Sequence, residues 1–292
     1  MREVRIDRDG ATLVGSYSPS GSCAVVALHG AGEGTRGWYL YEHLHELLPP
    51  AGIGVLSFDR RGEGESTGAP SRGRFDTQAD DALAFAAAVD VDRVGLWGIS
   101  QGGWVAPVAA TRSDRVRFLV LLASTGVTPA EQMRYAVAEQ LGRAGYPQDV
   151  VERAVELRAR AEAWIRGDDD PDRALAHDLA ATAREEWWPL VFLPDSLPEE
   201  PDAEPVRREL AEEMFFDPRP VFAAVRAPTL LFYGDDDAWT PVEPSIATWR
   251  AARGDDVEIV VLPGTGHEPT LLDGTISPQY AEKVVEWIAA RS

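Results

Sequence analysis

The sequence predicts an α/β protein built on a mainly parallel sheet. Short, continuously apolar runs recur along the chain, as strands covered on both faces require. Segments with apolar residues at helical spacing separate most of these runs, and strands that alternate with helices form parallel sheets with right-handed crossovers. The predicted strands are Glu3–Ile6, Ala11–Ser16, Cys23–Leu28, Gly54–Phe58, Val94–Trp97, Phe118–Ala123, Thr229–Tyr233 and Glu258–Leu262.

Local signals place the turns and helices between these strands. Asp9-Gly10 separates the first two runs and is a hairpin turn signal. Ser277-Pro278 is typical of a helix N-cap followed by its first helical residue. The predicted helices begin near Thr35, Gln78, Gln101 and Pro278, and the first of them ends at Pro49-Pro50.

One region interrupts the alternation of strands and helices. From about Thr128 to Pro220 the patterns are helical and no clear strand occurs, and the alternation resumes afterwards. We therefore expect a core of residues 1–127 and 221–292 that carries a helical cap, or lid, as an insertion over 128–220. A boundary between two independent domains is the alternative.

Composition excludes several classes of function. The net charge is −20, with 28 basic residues scattered among 48 acidic ones, which disfavours binding to a nucleic-acid backbone. No apolar run approaches the ~20 residues of a membrane helix, and the charged start lacks the apolar stretch of a secretory signal. Cys23 is the single cysteine, so we expect no disulfide. These features predict a soluble cytoplasmic protein.

The motif Gly98-Ile99-Ser100-Gln101-Gly102 lies where an apolar run ends and a helical pattern begins. Glycine weakens both strands and helices, so glycines around one serine indicate a turn too crowded for larger side chains. G-x-S-x-G between a strand and a helix is the pattern of a nucleophile elbow, which presents its serine above the C-terminal edge of the sheet. We predict Ser100 as the nucleophile; a plain glycine turn is the alternative.

A serine nucleophile needs a base, and the base needs an orienting acid. In this architecture the chain order is serine, acid, histidine. The run "TLLFYGDDDAWTP" places three aspartates directly after a predicted strand. We predict Asp237 as the acid, because it lies three residues beyond the strand-ending Gly234, with Asp235 as the alternative. A solvated acidic loop or a cation site would also explain this run.

The predicted base is His267, which lies in a glycine-bounded loop just after the last predicted strand. An ordinary loop histidine is the alternative. The remaining histidines fit less well, because they precede the serine, lie two apart on a helix, or fall in the predicted cap: His29, His43, His45 and His177.

The run "LHGAGEG" ends the third predicted strand in a glycine-rich turn. Such a turn can direct the backbone N–H of Ala31 at a developing oxyanion. The N–H of Gln101, at the start of a helix whose dipole favours an anion, is the predicted second donor. Neither a G-x-G-x-x-G motif nor a P-loop is present here, so we discount nucleotide binding.

Together these motifs resemble the α/β-hydrolase superfamily, in particular its serine esterases and aminopeptidase-like hydrolases. The resemblance covers Val25–Ala123 and Pro228–Arg291 and is carried by "HGAG", "DRRGEGES", "WGISQGG", "GDDDAWTP" and "GTGH". It implies an α/β-hydrolase fold and a serine hydrolase that forms an acyl-enzyme. It also implies that "DRRGEGES" shapes a tight loop near the site, with Asp59 and Arg60 in structural roles.

We expect the substrate to be a small or medium carboxylic ester. Water is the expected second substrate, and we expect the reaction to need no cofactor or metal. The aromatic run "EEWWPLVFLP" is the candidate wall for an apolar acyl group, through Trp187, Trp188 and Phe192. Glu33, beside the oxyanion turn, could bind a free amino group. Amide or aminopeptidase substrates and thioesters are the alternatives, and a protein that only binds a small molecule is the remote one. The oligomeric state is left open.

Overall fold

A computed structural model describes residues 1–32, 34–198 and 203–291 of the chain. Its sheet is mostly parallel, with eight strands in the order β1-β2-β4-β3-β5-β6-β7-β8, which confirms the predicted α/β class. The strands are β1 Arg2–Arg8, β2 Ala11–Ser18, β3 Cys23–Leu28, β4 Ile53–Phe58, β5 Arg93–Ile99, β6 Val116–Leu122, β7 Thr229–Gly234 and β8 Val257–Leu262.

The first two strands form the antiparallel edge of the sheet. β1 and β2 pair through a tight turn at Asp9 and Gly10, both with positive φ. β2 also pairs antiparallel with β4, and every later pairing is parallel. The carboxyl ends of β3 to β8 therefore lie at one edge of the sheet, where ligands bind in open α/β folds.

By its internal contacts, the described chain divides into two compact units. The first unit comprises residues 1–126, 218–237 and 242–292, and it contains the whole sheet. Part of its core is a cluster of aliphatic and aromatic side chains from the strands and from α1 and α10, including Trp97 and Trp287. Its helices are α1 Tyr39–Leu47, α2 Phe75–Ala88, α3 Gly102–Arg112, α8 Pro218–Ala224, α9 Val242–Arg253 and α10 Pro278–Ala289.

The second unit comprises residues 127–217 and 238–241. It begins with a capping box, in which the Thr128 hydroxyl accepts the Glu131 N–H and the Glu131 carboxylate accepts the Thr128 N–H. Two small apolar clusters form its interior, one around Val137 and Trp187 and one around Leu157 and Leu179. Its helices are α4 Pro129–Arg143, α5 Gln148–Ile165, α6 Ala174–Thr182 and α7 Ala203–Met214.

The main local differences from prediction concern where helices begin. α1 begins at Tyr39 rather than at Thr35, because the chain after β3 forms an irregular glycine-containing loop first. α10 begins after Ser277 as predicted, but the Ser277 side chain makes no capping hydrogen bond. Over the described ranges, no helix is both long and apolar enough to cross a membrane.

His29 follows β3 and lies inside the first unit, only 2% exposed. Its Nδ1 is 2.8 Å from the Tyr41 hydroxyl, and its ring packs edge-on against Phe58. Burial, reinforced by the positive charge of Arg60, lowers the pKa of His29 to about 3. An unfolded histidine titrates near ~6.5, so the unfolded chain binds more protons than the folded one between these two values.

We therefore expect the free energy of unfolding to decrease as the pH is lowered below about 6.5. Between pH 8 and pH 5 the loss due to His29 is about 2 kcal/mol in the free energy of unfolding. Urea unfolding of the wild type and of His29→Asn at both pH values checks this, because the other titrating groups cancel in the comparison. The variant should lose about 2 kcal/mol less than the wild type; equal losses would show that His29 is not the group responsible.

Candidate active site

Ser100 lies in the sharp turn between β5 and α3. Its φ is +53°, in the left-handed region that non-glycine residues rarely adopt. The turn is fixed by two hydrogen bonds: the Ser100 N–H donates to the Leu122 carbonyl at 2.9 Å, and the Gly103 N–H donates to the Ser100 carbonyl at 2.8 Å. A strained residue at a strand–helix junction has the geometry of a nucleophile elbow.

The glycines around Ser100 are required by backbone contact. A Cβ atom placed on Gly98 would lie 2.5 Å from the Gly102 carbonyl oxygen. A Cβ atom on Gly103 would lie 2.7 Å from the Cα of Ser124, just after β6. Both separations are below any real Cβ contact, so the turn closes only because these positions carry no side chain.

His267 and Asp237 form a hydrogen-bonded pair. Nδ1 of His267 lies 3.0 Å and 3.1 Å from the two carboxylate oxygens of Asp237. The Asp237 side chain is fully buried and that of His267 is 21% exposed. In the tautomer with the proton on Nδ1, the imidazole donates to the carboxylate and presents Nε2 as a base.

Asp235, the alternative acid, has another contact. Its Oδ1 accepts the N–H of Gly264 at 2.8 Å, so it orders the loop after β8. The loops after β7 and β8 also touch through their backbones, because a Cβ atom on Gly234 would lie 2.0 Å from the Gly266 carbonyl oxygen. This close approach brings Asp237 and His267 to neighbouring strand ends.

The serine turn and the histidine loop flank the same strand end. His267 lines a small crevice with Leu122 and Ala123, and the Leu122 carbonyl accepts the Ser100 N–H. Within the described ranges Ser100 Oγ forms no hydrogen bond, so the Ser100–His267 contact of an assembled triad is not made in this structure. Such contacts are often long before substrate binds.

Both predicted oxyanion donors lie beside the serine turn. A Cβ atom on Gly30, the residue before Ala31, would lie 3.6 Å from the Cβ of Ser100. Gln101 is 2% exposed, and its side-chain oxygen accepts from Nε2 of Gln78 at 2.9 Å. The described side chains contain no group of three or more His, Cys, Asp or Glu residues arranged to hold a metal ion.

Comparison with known proteins gives the family. The sequence profile of the alpha/beta hydrolase family matches residues 25–284. The chain belongs to the alpha/beta hydrolase family.

Two curated relatives of this alpha/beta hydrolase come from Pseudomonas putida. One is the dihydrolipoyllysine-residue acetyltransferase component of an acetoin cleaving system, 28% identical over 85% of this chain and 59% of that protein. The other is a 2-hydroxy-6-oxononadienedioate/2-hydroxy-6-oxononatrienedioate hydrolase, 34% identical over 37% of this chain and 40% of the relative. The alignments thus span less than two thirds of either relative.

A solved structure shares the fold of this alpha/beta hydrolase. An esterase from Pyrococcus furiosus superposes with a TM-score of 0.64 at 17% identity, over 99% of this chain and 89% of the esterase. At this identity the likeness shows the fold alone.

The aromatic residues predicted as a substrate wall differ in exposure. Trp187 is 4% exposed and belongs to the interior of the second unit, so its ring is packing rather than a free surface. Trp188 is partly buried and packs against both apolar clusters of that unit. Phe192 is 44% exposed, with its ring 5.1 Å from that of Trp239. Glu33 lies outside the described residues.

Sequence reasoning missed residues that support the site. The helical pattern places Gln78 only near the start of a helix, whereas in the structure its buried side-chain amide donates to the Gln101 side chain. The Tyr39 hydroxyl donates to the Glu268 carboxylate, and burial together with this carboxylate raises the pKa of Tyr39 to about 12. The one signal available was the position of Glu268, directly after His267.

The crowding at Gly98 makes a direct prediction. Gly98→Ala should destabilise the protein by roughly 1–3 kcal/mol, because the added methyl group overlaps the Gly102 carbonyl. Gly142→Ala is the matched control: it lies in α4, a Cβ atom there meets nothing within 4 Å, and alanine should be neutral or stabilise by about 0.5–1 kcal/mol. Urea unfolding measures both. Equal stability of the two variants would show that the turn relaxes freely.

Proposed function

We propose that this chain is a serine hydrolase that cleaves a small or medium carboxylic ester through an acyl-enzyme. One observation supports this above the others: the strained Ser100 and the hydrogen-bonded Asp237–His267 pair follow β5, β7 and β8 at the same sheet edge. Membership of the alpha/beta hydrolase family supports the same class of chemistry.

In the proposed first step, Nε2 of His267 accepts the Ser100 proton while Oγ bonds to the acyl carbon. The carbonyl π electrons move to oxygen and form the oxyanion. As the oxyanion collapses, the bond to the alcohol breaks and His267 returns the proton to the departing alkoxide. Asp237 holds the imidazole in the required tautomer and stabilises its charged form.

In the second step, water attacks the Ser100 ester and gives its proton to His267. The collapse of this second oxyanion releases the carboxylic acid and returns the proton to Ser100. Both steps place negative charge on the same oxygen, so the N–H groups of Ala31 and Gln101 are proposed to serve both. One such donor is typically worth about 2.7–4 kcal/mol in the transition state.

The proposed acyl-binding surface is the exposed ring of Phe192. This residue has a φ of +53°, and a buried arginine, Arg158, donates from Nη1 to its carbonyl at 3.1 Å and to that of Val191 at 2.7 Å. A bulky residue held in a strained conformation and kept exposed is typical of a ligand-contacting position. We propose that Phe192 and Trp188 contact apolar acyl chains; the burial of Trp187 gives it a supporting role.

Kinetics of three variants test the proposal. Ser100→Ala should reduce the kcat of ester hydrolysis by about 10⁴-fold or more, because no acyl-enzyme forms. Asp237→Asn should reduce kcat by about 10⁴-fold through loss of the correct imidazole tautomer. Asp235→Asn, two residues earlier, is the matched control: the Asp235 side chain accepts the Gly264 N–H, asparagine keeps an oxygen that can do the same, and kcat should stay within about threefold of the wild type.

The substrates should be an acyl ester and an amide of the same acid, so that the ester assignment is tested as well. We expect turnover of the ester to exceed that of the amide. A faster amide reaction would favour the aminopeptidase-like alternative on the same residues. Full activity of Ser100→Ala, or equal losses in the two aspartate variants, would contradict the proposed catalytic roles.

A further inference from the structure

Arg60 hydrogen-bonds to the glycine loop that follows β3. Its backbone N–H donates to the Gly34 carbonyl at 2.7 Å, its Nη1 donates to the Gly32 carbonyl at 3.2 Å, and its Nη2 donates to the Gly30 carbonyl. A Cβ atom on Gly34 would lie 2.7 Å from the Cβ of Arg60, so the loop backbone packs directly on this side chain. One residue therefore fixes the carbonyls of all three glycines.

The bond to Gly30 has a consequence for Ala31. The carbonyl of Gly30 and the N–H of Ala31 belong to one peptide group, which is planar and trans. In such a group the C=O and N–H vectors point in opposite directions. By holding the carbonyl of Gly30, Arg60 therefore turns the N–H of Ala31 away from itself.

The side of the peptide away from Arg60 is open. Ala31 is exposed, and its N–H has no hydrogen-bond partner in the parts of the chain that the structure describes. Gly30, at the other end of the same peptide group, faces Ser100, because a Cβ atom on Gly30 would lie 3.6 Å from the Cβ of Ser100. The unbonded N–H of Ala31 is thus one residue along the chain from Gly30, the position that faces the serine turn.

Arg60 also changes the electronic character of this peptide. A cation that hydrogen-bonds to a carbonyl oxygen polarises the amide and strengthens its N–H as a donor. Arg60 is 1% exposed, so solvent screens this interaction little and the guanidinium has no surface for substrate. Its effect on a reaction must pass through the peptide that it holds.

We propose that Arg60 is a positioning residue of the oxyanion site, which aims and polarises the Ala31 N–H by binding the carbonyl of the same peptide group. The proposal rests on the proposed function, because it assigns a means of supporting that oxyanion. It assigns Arg60 more than the loop-shaping role expected from sequence.

Glu63 completes the arrangement. Its Oε1 accepts from Nη1 of Arg60 at 2.8 Å, and its Oε2 accepts the Gly34 N–H at 2.6 Å. Glu63 thus fixes the orientation of the guanidinium and closes the far end of the loop. Because the carboxylate also neutralises part of the charge, aiming the donor is the larger part of the role that we assign to Arg60.

The test compares Arg60→Gln and Arg60→Lys with the wild type in ester hydrolysis. Loss of a whole oxyanion donor costs about 10²–10³-fold in kcat. Arg60→Gln leaves the Ala31 N–H in the chain but removes the guanidinium that fixes its orientation. We therefore expect kcat to fall roughly 10–100-fold, with KM within about threefold of the wild type. Lysine offers the loop carbonyls a single ammonium group in place of the planar, multi-donor guanidinium. Arg60→Lys should therefore have a kcat between those of the wild type and Arg60→Gln.

Affinity for a transition-state analogue separates positioning from simple structural damage. A boronic acid that matches the acyl group should bind Arg60→Gln more weakly by the same factor as kcat/KM falls, while binding of the product acid stays unchanged. If Arg60→Gln weakened binding of the boronic acid and of the product acid alike, the proposal would be overturned. Unchanged binding of both would overturn it as well.

Arg61 provides the matched control. It is the next residue and 6% exposed, but its Nε and Nη2 donate to Asp81 and its Nη1 to the Arg8 carbonyl. Arg61→Gln should lose stability yet keep kcat within about threefold, since it does not hold the loop; Arg61→Lys serves if that variant fails to fold. Equal loss of kcat in Arg60→Gln and Arg61→Gln would contradict the proposal. Failure of the proposed function is distinct: the wild type itself would then show no Ser100-dependent turnover.

Discussion

The backbone contact between Gly98 and Gly102 is the constraint on which the site depends. A side chain at position 98 would overlap the Gly102 carbonyl. Because Gly98 carries none, the chain can pass from β5 into α3 within a few residues. The intervening Ser100 then takes a left-handed conformation that costs of order 1–3 kcal/mol for a residue with a Cβ atom. The buried strand and helix on either side hold the turn in place against this cost.

The other parts of the site are arranged around that turn by the parallel sheet. Strands β3, β5, β6, β7 and β8 are neighbours in space, so the loops that follow them converge although they are distant in sequence. Close backbone approach joins two of these loops, at Gly234 beside Gly266, and the loop after β3 faces the serine turn at Gly30. Buried polar groups then set orientation: Asp237 for the imidazole, Gln78 for Gln101 and Arg60 for the glycine loop.

The parts of this arrangement that sequence predicts are those with a local signal. The strands, the serine turn and the order of Ser100, Asp237 and His267 depend on apolar runs and glycines next to one another in the chain. The prediction of Asp237 rather than Asp235 depends on loop position, and in the structure it is Asp237 that lies within hydrogen-bond distance of His267. The hydrogen bonds of Arg60 to Gly30 and of Gln78 to Gln101 join residues 30 and 23 positions apart, so no local sequence pattern predicts them. Exposure was equally hidden, because Trp187, Trp188 and Phe192 share one run yet differ in packing.

The most direct test of the central claim is to map the site of reaction with a fluorophosphonate that labels active serines. The account predicts one adduct per chain, on the peptide that contains Ser100, with hydrolytic activity lost in proportion to labelling. The phosphonyl group should not attach when the chain is unfolded, because the strained turn and its neighbours activate the hydroxyl. An adduct on another residue, or full activity with Ser100 completely modified, would contradict the account.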